Sequence, residues 1–105
     1  MKLLRRWEIL LPLNYNDGSP VPQEKVDEVI AFIHERFGAA SFETQTIRGL
    51  WRHDGKIYRD SPVRLFADVA DTAENREWFV QLKERLKRDF QQFEIWMTSH
   101  PIEVL

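Results

Sequence analysis

An Asp54-Gly55 pair lies mid-chain between two strand-like runs, Ser41 to Arg52 and Lys56 to Val69. Aspartate followed by glycine suits a two-residue turn whose central residues need positive φ, so the pair is the strongest short-range hairpin signal in this chain. One amphipathic helix pattern precedes the hairpin and another follows it. Counting outward from the turn pairs Trp51 with Tyr58, Thr46 with Val63, Thr44 with Leu65 and Phe42 with Ala67. Side chains alternate across a strand, so Phe42, Thr44, Val63, Leu65 and Ala67 share one face. Ile47, Trp51, Tyr58 and Phe66 share the other. Ser61-Pro62 interrupts the second run; proline cannot donate to a ladder and marks a bulge or a change of register.

The flanking segments complete the pattern. Trp7, Ile9, Leu11 and Leu13 alternate with Arg6, Glu8, Leu10 and Pro12, the period of a strand with one strongly apolar face. Asn14 to Pro22 is a loop carrying Asn-Asp-Gly and two prolines. Val26, Val29, Ile30, Ile33 and Phe37 then form one helical stripe, with Pro22 in or before the first turn and Gly38 as the stop. Phe32 lies off that stripe. Asp71 or Thr72 caps a second helix, Glu74 fitting a capping box with Asp71. Its stripe is Trp78, Phe79, Leu82, Leu86 and Phe90. Phe93, Ile95 and Met97 alternate as a last strand, interrupted at His100-Pro101.

The predicted order is β-α-β-β-α-β, the ferredoxin-like split pattern. Right-handed crossovers place both helices on one face of a four-stranded antiparallel sheet, an α+β sandwich. At 105 residues, 1–105 reads as a single domain with one two-layer core. The helix-covered face takes Ile9, Leu11, Leu13, Val63, Leu65, Ile95 and Met97. The open face carries Leu10, Ile47, Trp51, Tyr58, Phe66 and Trp96 among Glu8, Gln45, Arg64, Asp68 and Glu94. Six large residues on one small face point to an interface, most simply with a second copy in a homodimer. A slipped register, or a C-terminal segment folded over the patch, would explain the same residues without one.

Composition narrows the chemistry. A formal charge of −2 argues against bulk electrostatic binding to nucleic acid. An RNA-recognition sheet would need a basic-Gly-aromatic run that Pro62 to Asp68 lacks. No cysteine is present, which excludes disulfides and thiol chemistry. His34, His53 and His100 form no metal-ligand spacing, and no Gly-rich phosphate loop, serine elbow or cofactor motif occurs. No metal and no cofactor are predicted. Asn16-Asp17-Gly18-Ser19 reads as a connecting loop that could at most offer an anion site at the helix start. Glu43, Glu94 and Glu103 could gather near one sheet end, which the sequence alone does not fix. The short apolar run after Met1 to Arg6 has no cleavage site, and no stretch reaches membrane-spanning length, so a cytoplasmic protein without a membrane partner is expected.

Arg48, Arg52 and Arg59 fall on one side of the hairpin and flank Leu50 and Ile57. Arginine suits bidentate recognition of carboxylate or phosphate, so these three with His53 form the candidate site for a small acidic ligand. Asp60, Glu35 or a helix end could instead neutralise them. The sequence reads first as a non-enzymatic interaction module. The alternative is a small cofactor-independent enzyme, with His53 or His100 as the acid-base group in a pocket near the sheet face. Gly49-x-Trp51-Arg52, Gly55, Arg59-Asp60 and Phe90-Gln91 resemble a small uncharacterised bacterial family with a ferredoxin-like pattern. The turn is shorter here than in that family, and Asp60 stands where glutamate is usual. The resemblance supports the fold and implies no activity.

Overall fold

The computed structural model describes residues 2–105. Its elements are β1 (Lys2–Leu11), α1 (Gln23–Phe37), β2 (Ser41–Phe42), β3 (Gly49–His53), β4 (Lys56–Asp60), β5 (Val63–Val69), α2 (Ala73–Asp89) and β6 (Met97–Val104). A four-stranded antiparallel sheet has the order β2-β5-β1-β6, and β3 and β4 form a separate two-stranded hairpin. This is the predicted ferredoxin-like α+β arrangement, with each of the two middle strands divided in two.

Strand alternation sets the layers. Trp7, Ile9 and Leu11 of β1 and Val63, Leu65, Ala67 and Val69 of β5 are buried, and face both helices. From α1 come Val26, Val29 and Ile33; from α2 come Phe79, Leu82 and Leu86. Phe79 has no exposed surface and lies at the centre of the core. Its ring stacks on Trp7 at 4.8 Å and on Phe37 at 5.4 Å. Ile95 closes the core from the segment before β6, while Leu13 and Met97 are only partly buried against it.

Helix ends follow their local chemistry. Gly38 ends α1 at φ 81°, a left-handed conformation that glycine adopts without steric cost. The Thr72 hydroxyl caps α2 by accepting the Asn75 N–H at 3.1 Å. Asp71 does not cap: its carboxylate accepts from Arg5 Nε at 2.9 Å, and that bond holds the carboxyl below its ordinary range.

Three expectations need correction. The hairpin register holds, Trp51 facing Tyr58, and it persists to Ile47, whose N–H donates to Pro62 O at 2.8 Å. Beyond it, Glu43 N–H donates to Arg64 O, and Phe42 faces Leu65 instead of Ala67. Thr44 to Thr46 therefore take up two residues without partners on the opposing strand. A slip of two keeps every side chain on its predicted face while cutting the long ladder into β2-β5 and β3-β4. The last strand starts at Met97, not Phe93, and runs through His100-Pro101; Pro101 faces Arg5 on an edge strand, where its missing N–H interrupts no ladder. Finally, Glu43 and Glu103 lie toward opposite edges of the sheet and do not gather.

The stacked position of Phe79 makes it the most costly single deletion in the core. Phe79→Ala is expected to lower unfolding free energy by about 3–5 kcal/mol. The half-exposed Phe32→Ala is expected to cost less than about half of that. Urea denaturation of both variants checks the difference.

Candidate functional site

The slip at residues 43–47 leaves the hairpin outside the main sheet. β3 pairs with β4 alone, and its residues line a cleft together with the segment that follows α2. Gln91 turns the chain out of α2 at φ 52°, and residues 92–96 then pass beside the hairpin before β6 begins. Between them lies a cleft of about 770 Å³, with Leu10 and Pro12 from the end of β1 also lining it. That size suits a small-molecule site.

The walls are aromatic. Trp51 stacks on Tyr58 at 4.5 Å, and His53 stacks on Phe93 at 4.3 Å. Phe93 meets Trp51 edge-on at 6.3 Å and Tyr58 at 5.7 Å. Trp96 lines the same cleft and is 65% exposed, an unusual degree for an indole. The Trp96 carbonyl accepts from Leu10 N–H at 2.9 Å, fixing the backbone that carries it to β1.

The ionisable groups of the cleft separate into three kinds. Asp60 lies opposite Gly49, so close that a Cβ at residue 49 would collide with its carboxylate. Burial raises the Asp60 carboxyl above the ordinary range, and Trp51 offsets only part of this. No cation forms an ion pair with Asp60 among the described residues. Glu94 is neutralised by Lys83 Nζ at 3.0 Å, whose hydrogen bond holds its carboxyl below the ordinary range. Arg48 and Arg52 line the cleft and form no ion pair among the described residues.

Of the proposed acidic-ligand residues, the structure brings Arg48, Arg52 and His53 to one cleft. Arg59 does not line it; it faces Leu50 across the hairpin, and it too has no ion-pair partner among the described residues. Neither Asp60 nor Glu35 neutralises these arginines. Of the six residues assigned to the open face, Leu10, Ile47, Trp51 and Trp96 line the cleft, and Tyr58 stacks on Trp51 and meets Phe93 edge-on. Phe66 is elsewhere on the sheet, with Arg6 over its ring at 4.5 Å and Arg64 at 5.9 Å. The rest of that face is polar. Arg6 pairs with Asp68 at 2.8 Å, while Arg64 pairs with Glu43 and reaches Glu8 at 3.5 Å. Arg64 and Asp68 thus have partners within their own chain.

His34 and His100 are exposed and remote from the cleft lining. The Asn16 to Ser19 loop closes on itself, Asp17 accepting the Ser19 N–H at 2.9 Å and Gly18 N–H donating to Tyr15 O. Among the described residues, no group of three or more His, Asp or Glu is placed to hold a metal ion. No helix among them is long and apolar enough to cross a membrane. Sequence reasoning missed Phe93, Asp60 and Gly49 as site residues. Gly49 opposite Asp60 was the readable signal, because a glycine facing a carboxylate in an otherwise bulky hairpin leaves room for that group to lie across the strand pair.

No protein-family model and no curated protein matches the chain. Among solved structures it is similar to a phage SAM lyase in complex with S-methyl-5′-thioadenosine, with a TM-score of 0.69 and 20% identity over 96% of this chain and 90% of that one. It is also similar to the divalent cation tolerance protein (Cut A1) from Thermus thermophilus, with a TM-score of 0.61 and 16% identity over 98% of this chain and 86% of that one. At such identities the likeness shows the fold, with helices and sheet in the same arrangement.

The raised Asp60 pKa has a consequence for stability. The folded state holds the Asp60 proton more tightly than the unfolded chain does. Folding is therefore favoured at this site as pH falls through the folded pKa, and opposed by the carboxylate charge above it. Asp60→Asn is expected to raise the thermal midpoint at about pH 7, with the gain vanishing near pH 3, where the unfolded carboxyl also becomes protonated. Scanning calorimetry across that range checks the sign.

Proposed function

We propose that this protein binds a small molecule of nucleoside type in the cleft between the β3–β4 hairpin and residues 92–96. The observation that carries the reading is an aromatic-walled cleft of about 770 Å³ that also holds an unpaired carboxylate and unpaired arginines. Flat rings stack on indole and phenyl faces, and such stacking contributes roughly 1–3 kcal/mol per base. A cleft that leaves Trp96 65% exposed has an apolar surface awaiting a ring. The similar phage lyase was solved with S-methyl-5′-thioadenosine, which supports an adenine thioether as the first ligand to try. Asp60 is the group best suited to hold or accept a proton there, because it is partly buried and has no counterion. This favours the pocket-based alternative over a purely flat interface.

Isothermal titration calorimetry with S-methyl-5′-thioadenosine tests the reading. Saturable binding is expected, and Trp96→Ala is expected to raise Kd by about tenfold, the equivalent of one stacking contact. No heat of binding at millimolar ligand would contradict it.

Self-association is a second reading, favoured by where the apolar surface lies. Ile47, Leu50, Ile57, Phe93 and Trp96 are all large, exposed and gathered on the hairpin or across the cleft from it. We infer a homo-oligomer, a dimer in its simplest form, that covers this end of the molecule instead of the charged centre of the sheet. Trp96→Glu would place an unpaired charge in that contact, at a cost of several kcal/mol. Light scattering is expected to show a larger species at tens of micromolar for the wild type and a monomer for Trp96→Glu. A monomeric wild type would overturn it.

A further inference from the structure

Most arginines near the sheet and helices are engaged. Arg5 pairs with Asp71, Arg6 with Asp68, Arg36 with Glu74, Arg64 with Glu43 and Arg85 with Asp89. Arg76 lies over the Trp7 ring at 5.4 Å. Arg48 and Arg52 are different. Both are exposed, both line the aromatic cleft, and neither forms an ion pair among the described residues. Two carboxylates line the same cleft, yet neither serves them: Glu94 is held by Lys83, and Asp60 lies over Gly49 on the other side of the strand pair. Arg48 precedes β3 and Arg52 lies within it. They are of like parity along the chain and about 13 Å apart at extended spacing. The cleft is therefore lined by cationic and aromatic residues that alternate along the chain, Arg52 lying between Trp51 and His53.

We propose that Arg48 and Arg52 form an oxyanion-binding subsite, so that the ligand is a nucleoside carrying an anionic tail, either a carboxylate or a phosphate. The assignment rests on the nucleoside reading and adds to it. The ring stacks within the cleft, and the tail runs along the β3 edge to the guanidinium groups. Arginine serves here because its planar fork presents parallel N–H donors to two oxygens at once. Asp60, unpaired and on the opposing strand, disfavours a tail placed there and so orients the ligand.

The test compares matched ligands by calorimetry on the full chain. S-adenosylhomocysteine and its carboxamide have the same shape and differ in the charge of the tail; adenosine 5′-monophosphate supplies a phosphate. The acid is expected to bind about tenfold more tightly than the amide, a preference that falls as salt rises. In Arg48→Ala/Arg52→Ala the ratio is expected to fall toward one, while Arg36→Ala, in the last turn of α1 and outside the cleft lining, retains it. Circular dichroism of each variant verifies the fold. Tighter, arginine-dependent binding of the monophosphate with no preference for the acid assigns the subsite to phosphate; the reverse assigns it to carboxylate. Equal binding of acid, amide and monophosphate overturns the subsite and leaves the nucleoside reading intact. Absence of binding by every adenosine ligand, S-methyl-5′-thioadenosine included, overturns both.

Discussion

The break at Ser61-Pro62 governs this structure. A continuous ladder from Ser41 to Val69 would lay the hairpin flat against the sheet and leave no cleft. Pro62 is buried and offers no N–H; its carbonyl instead accepts from Ile47. Two extra residues at Thr44 to Thr46 absorb the mismatch, and the hairpin becomes a separate two-stranded sheet. An isolated hairpin is marginally stable in water. Here its inner face is held by aromatic contacts, Trp51 on Tyr58 and both against Phe93. The same contacts that hold the hairpin in place build the walls of the cleft.

Charge is distributed to match. On the open sheet face nearly every ionic group has an internal partner, and Arg6 and Arg64 spread over Phe66. Exposed or half-exposed pairs of this kind add little to stability. Their effect is to make the centre of the sheet polar and self-satisfied. At the hairpin end Asp60, Arg48 and Arg52 form no ion pair among the described residues, and large apolar side chains stand exposed. Trp51, His53 and Phe93 contact other rings, whereas Trp96 stands 65% exposed. The smaller hollow of about 270 Å³ between α1 and α2 shows the contrast: Lys25 Nζ donates to the Asp89 carbonyl, and Arg85 lies over Phe32 and pairs with Asp89.

The legible parts of this chain are those decided by local periodicity. The odd-numbered apolar residues of β1, the stripes of α1 and α2, the Gly38 stop and the Asp54-Gly55 turn each depend on neighbours within a few residues. Face assignment survived the register change because a slip of two preserves parity. The detached hairpin was not legible, since Thr44 and Thr46 alternate as well as any strand residues do. The alternation of Phe93 with Ile95 and Met97 predicts a strand residue, yet Phe93 precedes β6 and its ring stacks on His53 of the hairpin. His53 and the arginines were identified by residue type; their assembly with Trp96 depends on how the segment after α2 crosses the molecule, which no local pattern encodes.

In the proposed function the hairpin and residues 92–96 form one binding site. Amide chemical shifts of the isotope-labelled protein, recorded as S-methyl-5′-thioadenosine is added, test it most directly. Saturable shifts are expected, concentrated in residues 47–53 and 92–96 and in Leu10, with α1 and the outer face of α2 unmoved. Saturable shifts confined to the groove between the helices, or none at millimolar ligand, would contradict it.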